Sequence, residues 1–153
     1  MNKKSGLAPL NGAEIYYEIA GTGSPLLFLH AGIADSRMWL PHVDALQDQA
    51  RLIMPDLRGF GASMLPDTRF SHVDDIYALC DALDVSSMIL VEASFGARIA
   101  YESTRAHPER VCGLVLCAPV LRDFVPEGAL VESIPRKVGC WMLAKPIRQR
   151  NST

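Results

Sequence analysis

The stretch Met88-Ile-Leu-Val-Glu-Ala-Ser-Phe-Gly-Ala-Arg-Ile-Ala100 decides the fold. Its first four residues, Met88 to Val91, are apolar, the pattern of a short strand buried on both faces. Glu92, Ala93, Ser94, Phe95 and Gly96 follow, and then a run rich in helix formers. A strand that turns sharply into a helix with Ser at the apex holds the hydroxyl clear of the sheet. The helix behind it aims free backbone N–H groups at the same point, where they stabilise a developing oxyanion. Such a turn wants small residues two positions either side of the Ser. Gly96 meets this on one side. On the other, Glu92 stands where G-x-S-x-G has its first glycine. Ser94 is the candidate nucleophile, weighed against a plain Ser in a strand-to-helix loop.

Reading outward, strands alternate with helices. Leu7 to Leu10, Asn11-Gly12 and Glu14 to Ala20 predict a β-hairpin, since both turn residues tolerate positive φ. Gly21-Thr-Gly-Ser-Pro25 resembles a phosphate loop only superficially, because it leads into a strand and has no helix dipole behind it. Leu26 to Leu29 predicts a strand ending in His30-Ala31-Gly32. Asp35 or Ser36 then caps a helix with Trp39, Val43 and Leu46 on one face. Arg51 to Met54 is another apolar strand, ended by Pro55 and followed by the polar loop Asp56-Leu-Arg-Gly-Phe-Gly-Ala-Ser63. Ser71 caps the next helix, with Val73, Ile76, Tyr77, Cys80 and Leu83 at helical spacing. The helix after Ser94 stops at His107-Pro108, and Val111 to Cys117 is one more strand. The pattern predicts an α/β fold: a mostly parallel sheet with an N-terminal hairpin and flanking helices.

From Asp123 the chain changes character. Pro126, Pro135 and Pro146 interrupt it, and after Glu132 every charged residue is basic. Residues 1–119 read as a core and 120–153 as the start of a cap or an irregular basic tail. Within that tail, Val138 to Ala144 predicts one or two apolar helical turns, with solvated charges around them preferred over a membrane-surface or partner contact.

Composition narrows the function classes. The 153 residues are 49% hydrophobic and 21% charged, enough for one domain with a real core. A net charge of −2 gives no basic field for nucleic acid. Lys3 and Lys4 lack an apolar run behind them, so no signal peptide is predicted, and no stretch reaches the length of a membrane span. The four cysteines have no metal-ligand spacing, and three lie in apolar runs. They predict reduced core residues in a cytoplasmic setting. Metal, nucleotide and flavin are implied by no spacing, so no cofactor is expected.

Three stretches together resemble the α/β-hydrolase fold family: His30-Ala-Gly32, Asp56-x-Arg-Gly-x-Gly-x-Ser63 and Ser94-x-Gly96, in that order. His107-Pro-Glu-Arg-Val111 looks like the family's link into its next strand. The resemblance covers roughly residues 7 to 119. It implies Ser94 as nucleophile, with the backbone N–H groups of Phe95 and Gly32 as oxyanion donors. It also implies supporting roles for Gly96, for His30 in shaping its loop, and for Asp56 and Arg58 in bracing the carboxyl edge of the sheet. Ser rather than Asp at the elbow implies acyl transfer on an ester or similar small substrate, in contrast to the dehalogenase and epoxide-hydrolase branches, which attack with a carboxylate.

A Ser hydroxyl needs a base, and in this family the acid and then the His follow the Ser. No His follows His107. His107 itself lies at the far end of the helix, roughly 20 Å from Ser94 at 1.5 Å per residue. His42 occupies a position the family uses otherwise. His72 begins a helix at the right edge of the sheet, where a His is usually exposed. Asp123 lies where some members place the acid, though a surface Asp is the simpler reading. These features predict the N-terminal part of a hydrolase, truncated or completed by another chain or by oligomerisation, with the Val111–Cys117 strand left as an open edge. Glu92 is expected to crowd the elbow and to place charge near the oxyanion. The competing function is a non-catalytic relative that binds a small ligand or a partner; a decayed product is the third.

Overall fold

The computed structural model describes residues 3–65 and 68–118, together with the backbone of strands at 130–133 and 140–144. Among the described residues, eight strands form a single sheet. They are β1 (Lys3–Leu10), β2 (Ala13–Ala20), β3 (Pro25–Leu29), β4 (Arg51–Pro55), β5 (Met88–Ala93), β6 (Val111–Cys117), β7 (Leu130–Ser133) and β8 (Cys140–Ala144), in the order β1-β2-β4-β3-β5-β6-β8-β7. The four central strands, β4-β3-β5-β6, run parallel, and antiparallel pairs flank them. The hairpin forms as expected. Asn11 and Gly12 have φ of 48° and 79°, and Leu10 pairs with Ala13.

Continuous apolar runs become central strands because both faces of the sheet are covered. Successive side chains point to opposite faces. Leu27, Leu29, Ile53, Met88 and Leu90 pack on one side with Ile76, Leu79 and Cys80 of α2 (His72–Ala82) and with Ile99 and Ala100 of α3 (Phe95–Ala106). Phe28, Leu52 and Met54 pack on the other with Trp39 and with Val43 of α1 (Leu40–Leu46). A single 3₁₀ turn, Ser36–Trp39, precedes α1. Asp35 caps it by accepting the Arg37 N–H, and the Arg37 guanidinium holds the Asp35 carboxyl down at about 2. Ser71 caps α2, its hydroxyl accepting the Asp74 N–H at 3.2 Å.

Three expectations need correction. β6 is not an open edge, because β8 pairs with it antiparallel from Gly113↔Ala144 to Cys117↔Cys140. The end of the predicted helix at Val138–Ala144 is therefore strand, at Cys140–Ala144. A run of five apolar residues is the length of a strand and too short for a stable helix, and it answers the unpaired main-chain groups of β6. Apart from β7, the rest of the tail, Asp123 included, lies outside the described residues. Cys112 is exposed, whereas Cys80 is buried and its thiol is pushed up to about 11 by burial; both are free thiols. Cys112 is the extra residue where the β5–β6 register shifts, between the pairs Met88↔Val111 and Ile89↔Gly113, and this bulge leaves its side chain exposed despite its apolar neighbours.

Arg58 ties the hairpin to the rest. Its side chain is fully buried and forks onto Asp75 of α2, with Nε to Oδ2 and Nη2 to Oδ1 both 2.6 Å. Nη2 also donates to the Leu10 carbonyl at 3.2 Å, and Asn11 Nδ2 donates to Asp75 Oδ1 at 2.9 Å. Removing one partner strands a buried charge. Arg58→Ala should therefore cost about 3–5 kcal/mol, with Arg58→Lys in between because an ammonium cannot fork. Leu90→Ala should cost about 2–5 kcal/mol through the cavity it leaves. Leu65→Ala, at a residue 64% exposed, should stay within about 0.5 kcal/mol. Urea unfolding measures all four.

Candidate active site

β5 ends at Ala93 and α3 begins at Phe95, leaving Ser94 alone between them. Its backbone is held at φ 50°, ψ −103°, a conformation a side chain rarely adopts, at a cost of about 1–3 kcal/mol. The Ser94 N–H donates to the Cys117 carbonyl at 3.0 Å, which anchors the turn to the end of β6. A Ser at a helix start normally accepts an N–H from the first turn. Ser94 makes no such capping bond, and its backbone lies outside the extended geometry an N-cap normally adopts. The residue is half-buried.

Two glycines let the chains approach. A Cβ on Gly96 would lie 2.6 Å from the Leu29 carbonyl oxygen, so only glycine lets α3 close onto β3. A Cβ on Gly32 would lie 3.2 Å from the Phe95 Cβ. The backbones of Gly32 and Phe95 thus lie side by side next to Ser94. Glu92 is fully buried, opposite Leu29 on β3 and Leu116 on β6, on the face of β5 that carries Met88 and Leu90. The atoms nearest a Cβ on Gly96 belong to Leu29.

His30, Asp56 and Arg58 are all buried and committed to neighbours. His30 Nδ1 lies 2.8 Å from the Ala31 carbonyl oxygen, and Nε2 accepts the Leu57 N–H at 2.9 Å. The second bond makes Nε2 the acceptor, so Nδ1 carries the proton. Asp56 accepts the Ser36 N–H on Oδ1 at 2.7 Å and the Ala62 N–H on Oδ2 at 2.8 Å. Its carbonyl accepts the Ser63 hydroxyl at 2.7 Å. These bonds stitch the loop after β3 to the loop after β4. Asp75 is a site residue that sequence reading missed: an acid in the first turn of a helix looks like any solvated N-terminal carboxylate.

The four histidines separate cleanly. His107 is at the far end of α3, its ring centroid 4.3 Å from that of Tyr77, and His42 packs on Trp39 at 5.5 Å, on the α1 side of the sheet. His72 is half-buried rather than exposed, because its ring lies edge-on to Phe95 at 5.7 Å and to Phe70 at 5.0 Å. Phe60 continues the chain of rings, 6.0 Å from Phe95 and 5.1 Å from His30. Burial lowers the His72 pKa below its usual 6.5. Arg58 and His30 push the same way, and Asp75 and Glu102 oppose. Among the described residues no imidazole hydrogen-bonds the Ser94 hydroxyl, and no group of three or more His, Cys, Asp or Glu is placed to hold a metal ion. No described helix is long and apolar enough to cross a membrane.

Comparison with known proteins agrees with this architecture. Residues 24–142, well over half the chain, match the family model described as alpha/beta hydrolase fold. The chain is 36% identical over 118 residues to a haloalkane dehalogenase of Mesorhizobium japonicum, covering 73% of this chain and 37% of that protein. It is 35% identical over 127 residues to a 2-hydroxymuconate semialdehyde hydrolase of Pseudomonas sp. (strain CF600), covering 71% and 45%. Among solved structures, a thermophilic esterase from Thermogutta terrifontis superposes with a TM-score of 0.71 at 31% identity, covering 81% of this chain and 48% of that one. The chain therefore spans less than half the length of these relatives. It belongs to the α/β-hydrolase fold family.

Proposed function

We propose that the chain carries the nucleophile half of a serine hydrolase site acting on an ester or similar small acyl substrate. Ser94 is the nucleophile, and the Phe95 and Gly32 N–H groups receive the oxyanion. The observation that carries this reading is the backbone of Ser94. A residue held at φ 50° between a buried strand and a helix, without capping that helix, stores strain that a purely structural Ser would not need. His30, Asp56 and Arg58 hold the loops around it, and Gly96 allows the approach of α3. The matched relatives include an epoxide hydrolase and haloalkane dehalogenases. Ser at the elbow favours acyl chemistry over the carboxylate attack of those branches.

Proton transfer from Ser94 requires a base, and both nitrogens of His30 are engaged. We assign the base and its acid to positions after residue 118, in this chain or in one that completes the site. Outside β7 and β8, the stretch 120–153 is read as the start of a cap or an irregular basic tail, and the protein works in a reducing, cytoplasmic setting without cofactor, nucleic acid or membrane.

A fluorophosphonate probe tests the assignment. The folded chain should label at Ser94 at least roughly a hundredfold faster than the urea-unfolded chain, the effect of a preformed oxyanion site. Ser94→Ala should abolish labelling. Ser94→Gly should also abolish it while raising stability by about 1 kcal/mol, because glycine relieves the strained φ. A folded chain that does not label at Ser94 would sink the catalytic reading in favour of a ligand- or partner-binding relative.

A further inference from the structure

We propose that His72 is a positioning residue for the Ser94 site, its neutral ring holding Phe95 and so the Phe95 N–H in place, and that protonation of this ring loosens the site. The inference rests on the reading of Ser94 as nucleophile with Phe95 as oxyanion donor. Phe95 is held from three sides. Gly32 lies against its Cβ, Phe60 faces its ring at 6.0 Å, and His72 meets that ring edge-on at 5.7 Å. Phe60 is backed by His30, which is fixed by two hydrogen bonds, so that side is rigid. Of the three groups that touch Phe95, namely Gly32, Phe60 and His72, only His72 has a side chain that can change charge near neutral pH.

The surroundings of His72 favour the neutral ring. Its Nδ1 is buried without a hydrogen-bond partner, so a proton there would be a buried, unanswered donor. Phe70 and Phe95 both contact its ring. The charged and titratable groups acting on it are Arg58 and His30, which disfavour a second positive charge, and Asp75 and Glu102, which favour it. Asp75 is already held by the Arg58 fork, and Glu102 by Arg98 at 2.9 Å. Burial is the largest influence, and it lowers the pKa. The unfolded chain therefore binds this proton more readily. The contribution of the neutral ring is complete above pH 6.5 and is lost as pH falls through the lower folded value.

Two readouts, amide NMR and probe labelling between pH 5 and 8, separate this inference from the function it rests on. The Phe95 and Gly32 backbone amide shifts should follow the His72 imidazole titration, and His72→Phe should abolish that titration. Labelling of Ser94 should fall as His72 protonates. His72→Ala should slow labelling roughly three- to tenfold at pH 8, the effect of one aromatic pair. His72→Phe, which keeps a ring edge on Phe95, should restore the rate and remove the acid inflection. If the amides titrate with His72 but the folded chain never labels, the positioning role stands and the hydrolase reading fails. If the amides ignore His72 titration, the positioning role is overturned. It is overturned equally if His72→Ala labels like the wild type with the same pH profile.

Discussion

The approach of Gly96 to the main chain of Leu29 is the constraint on which the site depends. No residue with a side chain fits there, since its Cβ would overlap the Leu29 carbonyl. Because α3 closes so tightly onto β3, the connection from β5 must turn within one residue. That residue, Ser94, takes the positive φ. The same closure sets the first turn of α3 beside the loop after β3 and brings Phe95 against Gly32. Strain at the elbow and donors around it are thus two consequences of one packing contact. The cost, about 1–3 kcal/mol, is small against the apolar burial on the two faces of the sheet.

The polar residues at the carboxyl edge are committed to their neighbours. His30, Asp56 and Arg58 are almost wholly buried; His30 and Asp56 bond to the loops, and Arg58 commits Nε and Nη2 to α2 and the hairpin while its Nη1 makes no hydrogen bond. A buried polar group with its partners in place rigidifies its surroundings. The same engagement removes it from chemistry. His30 stands close to the elbow, yet it cannot take a proton on Nε2 without losing the Leu57 bond. Rigidity here comes from side chains that are chemically occupied, whereas the Ser94 hydroxyl makes no capping bond to α3. His72 belongs to neither group: it touches Phe95 through its ring alone.

Much of the fold was legible in the chain because its signals are local. Asn11-Gly12 demands a tight hairpin, Ser71 caps a helix, and the apolar runs at 26–29, 51–54, 88–91 and 111–117 mark strands covered on both faces. The failures were equally physical. Cys112 lies in an apolar run yet is exposed, since it is the extra residue of a bulge that only the pairing of β6 with β5 creates. Cys140–Ala144 has a composition that suits either helix or strand, and only the unpaired edge of β6 chose between them. In the site, Asp75 was invisible because its meaning comes from Arg58, 17 positions earlier. His72 was read as a surface residue because nothing local announces the rings of Phe70 and Phe95.

By itself the sequence determined the order of the elements, the place of the turn at Ser94 and the glycines that permit it. Turn, cap and alternation signals act between residues a few positions apart, so they survive in a linear reading. Only the tertiary structure decided that His30 is chemically occupied, that Arg58 and Asp75 form one brace, and that His72 rests on the ring of Phe95, the neighbour of Ser94. Those facts arise where strands distant in sequence meet at one edge of the sheet. Burial and partnership, which set what a side chain can do, exist only after that meeting.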